Sequence, residues 1–117
     1  MHRKELSEEN QYIMKMKCLP VEKTKKINIS KQFRPSHKYR NPKVIFEKMN
    51  TTQAIEKYAP KGEISVLNFA NNSHVGGGYL QGSRAQEEDL CISFPQLYNS
   101  LKTTKYPWNK SRNVLLT

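Results

Sequence analysis

The sequence predicts an α/β domain from three observations: two short apolar runs of strand character, a helix-compatible stretch between them, and three consecutive glycines soon after the second run. The first run, residues 43 to 49 (KVIFEKM), sets Val44 and Phe46 on one face and Ile45 on the other, the alternation of a strand. Asn50, Thr51 and Thr52 then supply capping side chains, and Gln53 stands three residues after Asn50, at capping-box spacing. Ala54, Ile55 and Tyr58 give a short apolar helical face that Pro60 and Gly62 end. The second run, residues 64 to 70 (ISVLNFA), is interrupted only by Ser65 and Asn68 and reads as a parallel strand buried on both faces. Strand, helix and strand in this order make a βαβ unit.

The flanks are less regular. Residues 8 to 16 suit a short helix with Tyr12, Ile13 and Met16 on one face, ended before Pro20. Residues 85 to 92 (AQEEDLCI) are compatible with a helical turn. Ser93 and Gln96 have capping-box spacing, Pro95 fits a first helical turn, and Leu97 and Leu101 share a face at i, i+4. The last residues, NVLLT, begin another apolar segment.

At 117 residues the chain is the size of one domain. Its hydrophobic fraction of 36% and mean hydropathy of -0.82 predict a small core. The net charge of +10 is concentrated at one end: residues 1 to 43 hold 12 of the 20 Lys and Arg but only 4 of the 10 acids. Residues 1 to 42 therefore read as a basic, partly disordered extension. It is either a solvated tail or a surface that attracts polyanions, with Phe33 and Tyr39 beside Arg34 and Arg40 able to stack bases in a weak nucleic-acid contact. Cys18 and Cys91 form no metal-ligand spacing and read as reduced thiols. No secretory or membrane-spanning run is present, so the expectation is an intracellular protein, cytoplasmic or nuclear, with no membrane partner.

Chemistry is concentrated between residues 64 and 90. Gly76, Gly77 and Gly78 permit positive φ and close backbone approach, which suits either a plain turn or amides converging on an anion. After a seven-residue spacer come Gln86, Glu87 and Glu88. Adjacent carboxylates on a helix point about 100° apart, so they are not a facing pair and more naturally divide the labour, one holding a sugar hydroxyl and one exchanging protons.

A GGG run, a spacer of six to eight residues and then QEE resembles the catalytic signature of the poly(ADP-ribose) glycohydrolases, bacterial-type branch. Upstream VLNFANN, and downstream Leu90-Cys91 with the segment Leu97-Tyr98-Asn99-Ser100-Leu101, extend the likeness over about residues 43 to 105. The resemblance implies a macrodomain-like three-layer α/β/α sandwich, of which this sequence, ending soon after the catalytic loop, would be the N-terminal part. It implies hydrolysis of ribose–ribose bonds in poly(ADP-ribose), with poly(ADP-ribose) or ADP-ribosylated protein as the partner and with no cofactor and no metal. Glu88 then matches the catalytic glutamate that protonates the leaving oxygen and activates water, in a carboxyl whose pKa burial and the charge of Glu87 would raise. Glu87 matches its ribose-orienting neighbour. Asn68, Asn71, Gly76, Gly77, Gly78 and Gln86 match the ligand-binding positions. Binding of ADP-ribose without turnover, or a nucleic-acid-associated role for the basic segment, are the alternatives. His74, Cys91, Tyr106 and Trp108 are read as solvated or packing residues first, whereas Tyr79 either covers the ligand or packs beside the loop.

Overall fold

The computed structural model describes residues 2 to 29 and 41 to 117. In chain order it contains α1 (Arg3–Lys17), β1 (Lys25–Asn28), α2 (Thr51–Tyr58), a 3-10 turn (Ala59–Lys61), a second 3-10 turn (Tyr79–Gln81), α3 (Gln86–Ser93), α4 (Pro95–Leu101) and β2 (Asn113–Leu116). This mixture of helix and short strand is consistent with the expected α/β class. The strands are not the expected ones. β1 and β2 pair antiparallel, with Lys25 opposite Leu116 and Asn28 opposite Asn113, so the apolar NVLLT segment finds its partner in the basic N-terminal region.

Residues 43 to 49 and 64 to 70, expected as strands, form no ladder. Among the described residues their backbones make no inter-strand hydrogen bond. The burial expected on both faces of the second run is also absent, since Leu67 and Phe69 are 74% and 68% exposed. The physical reason is that alternation can prepare a strand but cannot supply the neighbour, about 4.8 Å away, that fills its N–H and C=O groups. The period of two is still legible. Lys43, Ile45, Glu47 and Met49 line one side of a groove of about 580 Å³, with Ile64, Val66 and Phe69 also lining it and Ala54, Ile55 and Tyr58 of α2 contributing the apolar helical face read from the sequence.

α2 begins as its sequence dictates. The Asn50 side chain accepts from the Gln53 amide at 2.8 Å, and the Asn50 amide donates to the Gln53 side chain at 2.9 Å, closing the capping box. The second expected box does not form: Ser93 ends α3, Phe94 caps α4 without a side-chain bond, and Pro95 takes the first helical position as anticipated.

α1 is longer than residues 8 to 16 and turns a different face inward. Ser7 and Met14 are buried, whereas Tyr12 and Met16 are more than 60% exposed. A small serine admits close approach that a bulkier side chain would block. Beyond it, Asn10 Nδ2 donates to the Ile92 carbonyl at 3.0 Å, tying α1 to the end of α3. Contacts of α1 and β1 thus cross the division expected at residue 42. The stacking residues Phe33, Arg34, Tyr39 and Arg40 lie outside the described residues.

The core is small, as the composition predicts. Tyr79, Cys91 and Tyr98 are its buried centre, with Val75, Ile92 and Leu97 packed around them and the two tyrosine rings 5.0 Å apart. Cys91 is a packing residue: it is fully buried, and burial, reinforced by the charges of Glu87 and Glu88, pushes its thiol up to about 12. Cys18, the exposed C-cap of α1, has no such protection. Iodoacetamide at pH 8 should therefore label one thiol in the native protein and two in denaturant, as read by intact mass; rapid double labelling of the native chain would contradict this packing.

Candidate active site

α3 carries Glu87, Glu88 and Asp89 in its first turn, where the free amides and the dipole of a helix N-terminus favour negative charge. Glu87 and Glu88 are nonetheless only 2% and 7% exposed, so each must find donors inside the protein. They find different ones. Glu87 Oε2 accepts from Asn68 Nδ2 at 2.8 Å and Oε1 from the Asn71 amide at 3.1 Å. Glu88 Oε1 accepts from the Gly78 amide at 2.9 Å. The angular separation read from the sequence thus places one acid against the end of the apolar run and the other against the glycine loop.

The loop closes around both acids because it lacks side chains. Gly76 and Gly77 have φ of +66° and +58°, the left-handed region. A Cβ on Gly76 would lie 2.9 Å from the Tyr98 ring, and one on Gly77 only 2.8 Å from Glu88 Oε1 and 3.5 Å from Glu87 Oε1. Gly77 is therefore the point on which the two carboxylates converge. The Gly77 amide donates to the His74 carbonyl and the Tyr79 amide to the Gly76 carbonyl, which fixes the turn. The group held by the Gly78 amide is the protein's own Glu88 carboxyl. Asn71 Oδ1 accepts from the amides of Ser73 and His74, setting the entry into the loop, while the His74 side chain stays exposed.

Gln86 is used by the backbone. Its side-chain amide accepts from Phe69 N–H at 2.8 Å and donates to the Leu67 carbonyl at 2.8 Å, standing in for a neighbouring strand at two positions of the run that has none. In this way α3 and the residues on either side of Asn68 are locked in register. Tyr79 lies in the core, so its packing reading holds. Asn68 Oδ1, in the Glu87 network, is buried and has no partner among the described residues.

Several residues around the loop carry no local sequence signal. The Ser83 amide donates to the Gly78 carbonyl at 3.0 Å, and its side chain packs on the open face of Gly78. Asn72 and Trp108 exchange two hydrogen bonds, the Trp108 backbone N–H to Asn72 C=O at 3.0 Å and Asn72 Nδ2 to Trp108 C=O at 3.1 Å, pinning the chain after α4 beside the loop. Arg3 donates to both the Ser83 carbonyl and Asp89. The partners in the Arg3 and Trp108 contacts are far apart in the chain, and residue type alone does not select them.

Burial raises the Glu87 carboxyl above its ordinary 4.5, the bonds from Asn68 and Asn71 pull it partly back, and the charge of Glu88 adds to the rise. Among the described residues no three His, Cys, Asp or Glu side chains are grouped as for a metal ion.

Two outcomes follow from this geometry. Gly77→Ala strains a left-handed backbone and drives a methyl against Glu88, so it should destabilise the fold by about 1–3 kcal/mol in urea unfolding. Gly62→Ala, at φ +153°, also strains the backbone, but its added methyl would meet nothing within 4 Å, so its loss lacks the clash that Gly77→Ala adds. For Glu87 the folded carboxyl binds its proton more tightly than the unfolded one, so its contribution turns against folding as pH rises from the unfolded value through the raised folded one. Glu87→Gln removes that loss, and a flipped Asn68 amide can accept from the new amide. The variant should melt above the parent at pH 8, with the difference shrinking toward pH 4; a lower Tm at pH 8 would show that the carboxylate itself is required.

No curated protein and no solved structure matches the chain. The family model described as microbial-type PARG, catalytic domain, matches residues 3 to 116, taking in α1, the glycine loop, both acids and β2. With nearly its whole length matched, the chain belongs to the microbial-type PARG catalytic-domain family.

Proposed function

We propose that the chain hydrolyses the ribose–ribose glycosidic bonds of poly(ADP-ribose), with Glu88 as the proton-transferring residue. The observation that carries this reading is the meeting of the two halves of the signature. The Gly78 amide bonds to Glu88 at 2.9 Å, while Glu87 is held apart by Asn68 and Asn71. Family membership supplies the substrate class.

In this reading Glu88 gives its proton to the leaving ribose oxygen as the glycosidic C–O bond breaks. Its carboxylate then takes a proton from the water that attacks the anomeric carbon, which restores the acid. Glu87, fixed by two donors, keeps its orientation and accepts from the ribose hydroxyls. Asn68, Asn71, Gly76, Gly77 and Gly78 shape the ribose and diphosphate contacts, and Gln86 acts by holding α3 on residues 67 to 69. The wider fold is read as a macrodomain-like α/β/α arrangement, supported by the strand-like alternation of residues 43 to 49 and their placement with α2 around one groove.

Release of ADP-ribose from poly(ADP-ribose) tests the assignment. Glu88→Gln should lower the rate by about 10²–10⁴-fold, the usual contribution of a general acid–base group, while leaving the melting temperature close to the parent's. Turnover that survives Glu88→Gln would remove the catalytic role. A second reading is ADP-ribose binding without turnover. It predicts saturable ADP-ribose binding by a parent chain that releases no product.

A further inference from the structure

We propose that Arg3, on the N-terminal helix, is a positioning residue for the catalytic loop, acting through Ser83 and Gly78 on Glu88; its effect on turnover rests on the function proposed above. The guanidinium makes a fork. Nε and Nη2 donate to the Ser83 carbonyl at 3.1 and 3.0 Å, and the second hydrogen of Nη2 is directed to Asp89 Oδ1 at 2.6 Å. One side chain therefore joins the end of the spacer to the helix turn that carries both acids, across 80 or more residues of sequence.

The path from there is short. Ser83, held by its carbonyl, donates its own amide to the Gly78 carbonyl at 3.0 Å, and its Cβ lies 2.7 Å from where a methyl on Gly78 would sit. The amide of Gly78 in turn holds Glu88 at 2.9 Å. The turn has little other freedom where α1 passes: a Cβ on Gly82, at φ +82°, would stand 3.0 Å from the Lys4 backbone nitrogen. Ser7 is fully buried on the same helix, and Asn10 fastens the far end of α3 at Ile92. α1 thus grips α3 at both ends and closes the spacer at one. Arg3 is the side chain of α1 that bonds to the spacer and the acid-bearing turn together.

Lysine cannot reproduce this. A planar guanidinium offers donors in fixed directions to a carbonyl and a carboxylate at once, whereas an ammonium is a single point of charge. Asp89 is about half exposed, so the geometric fork, more than the ion pair, is the active element.

The test uses the full chain in three variants, Arg3→Gln, Arg3→Lys and Asp89→Asn, read first by amide hydrogen exchange in the absence of substrate. In Arg3→Gln the amides of Gly78 and Ser83 should exchange about tenfold faster, with those of α4 and β2 unchanged. Arg3→Lys should recover only part of the protection, and Asp89→Asn, which keeps the Ser83 contacts, should lose less than Arg3→Gln. In hydrolysis assays Arg3→Gln should lower kcat by about tenfold with a smaller rise in KM, because Glu88 and the Gly78 amide loosen while Glu87, Asn68 and Asn71 keep their contacts. Unchanged protection at Gly78 in Arg3→Gln, or equal acceleration at every amide, would overturn the proposal, as would full rescue by lysine. Should Arg3→Gln fail to fold, the order of Gly78 protection among parent, Asp89→Asn and Arg3→Lys decides it alone. A parent that releases no ADP-ribose defeats the functional reading, whereas the exchange result still tests the positioning.

Discussion

Two carboxylates withdrawn from water at the first turn of one short helix are the constraint on which the site depends. A buried carboxylate without donors is too costly to keep, so the surrounding chain is arranged to supply them. Asn68 and the Asn71 amide serve Glu87, and the Gly78 amide serves Glu88. The end of the apolar run and the glycine loop are both drawn onto α3 by this need.

That demand explains the glycines better than flexibility does. The Gly78 amide can reach Glu88 only if the backbone passes against the carboxylates, and Gly77 passes so closely that a methyl would collide with an oxygen. The loop is held rather than loose. His74 and Gly76 carbonyls take its amides, Tyr79 anchors its exit in the core, and Ser83 closes it from the spacer. A loop built in this way holds the two acids in different surroundings, Glu87 against Asn68 and Asn71 and Glu88 against Gly78, before any ligand arrives.

Gln86 shows how a missing neighbour is partly replaced. A run such as residues 64 to 70 needs backbone partners along its length, and a single side-chain amide fills two of those positions, at Leu67 and Phe69. The replacement is local. It fixes Asn68 where Glu87 requires it and leaves the rest of the run, together with residues 43 to 49, bordering an open groove.

The sequence by itself determined what local chemistry can specify. The Asn50–Gln53 box, the proline opening α4, the helix bearing Gln86, Glu87 and Glu88, and the divergence of the two acids all follow from spacing along one turn of chain, and all are present. Tertiary structure decided everything that needs a distant partner. It paired NVLLT with residues 25 to 28 and denied a ladder to two runs that alternate correctly, because a strand is defined by its neighbour. It buried Ser7 and Met14 in place of Tyr12 and Met16, because the face a helix turns inward is set by the elements it packs against and not by its own apolar spacing alone. It also set Arg3 and Trp108 beside the glycine loop, contacts that residue type and spacing do not encode because they close only when distant parts of the chain meet.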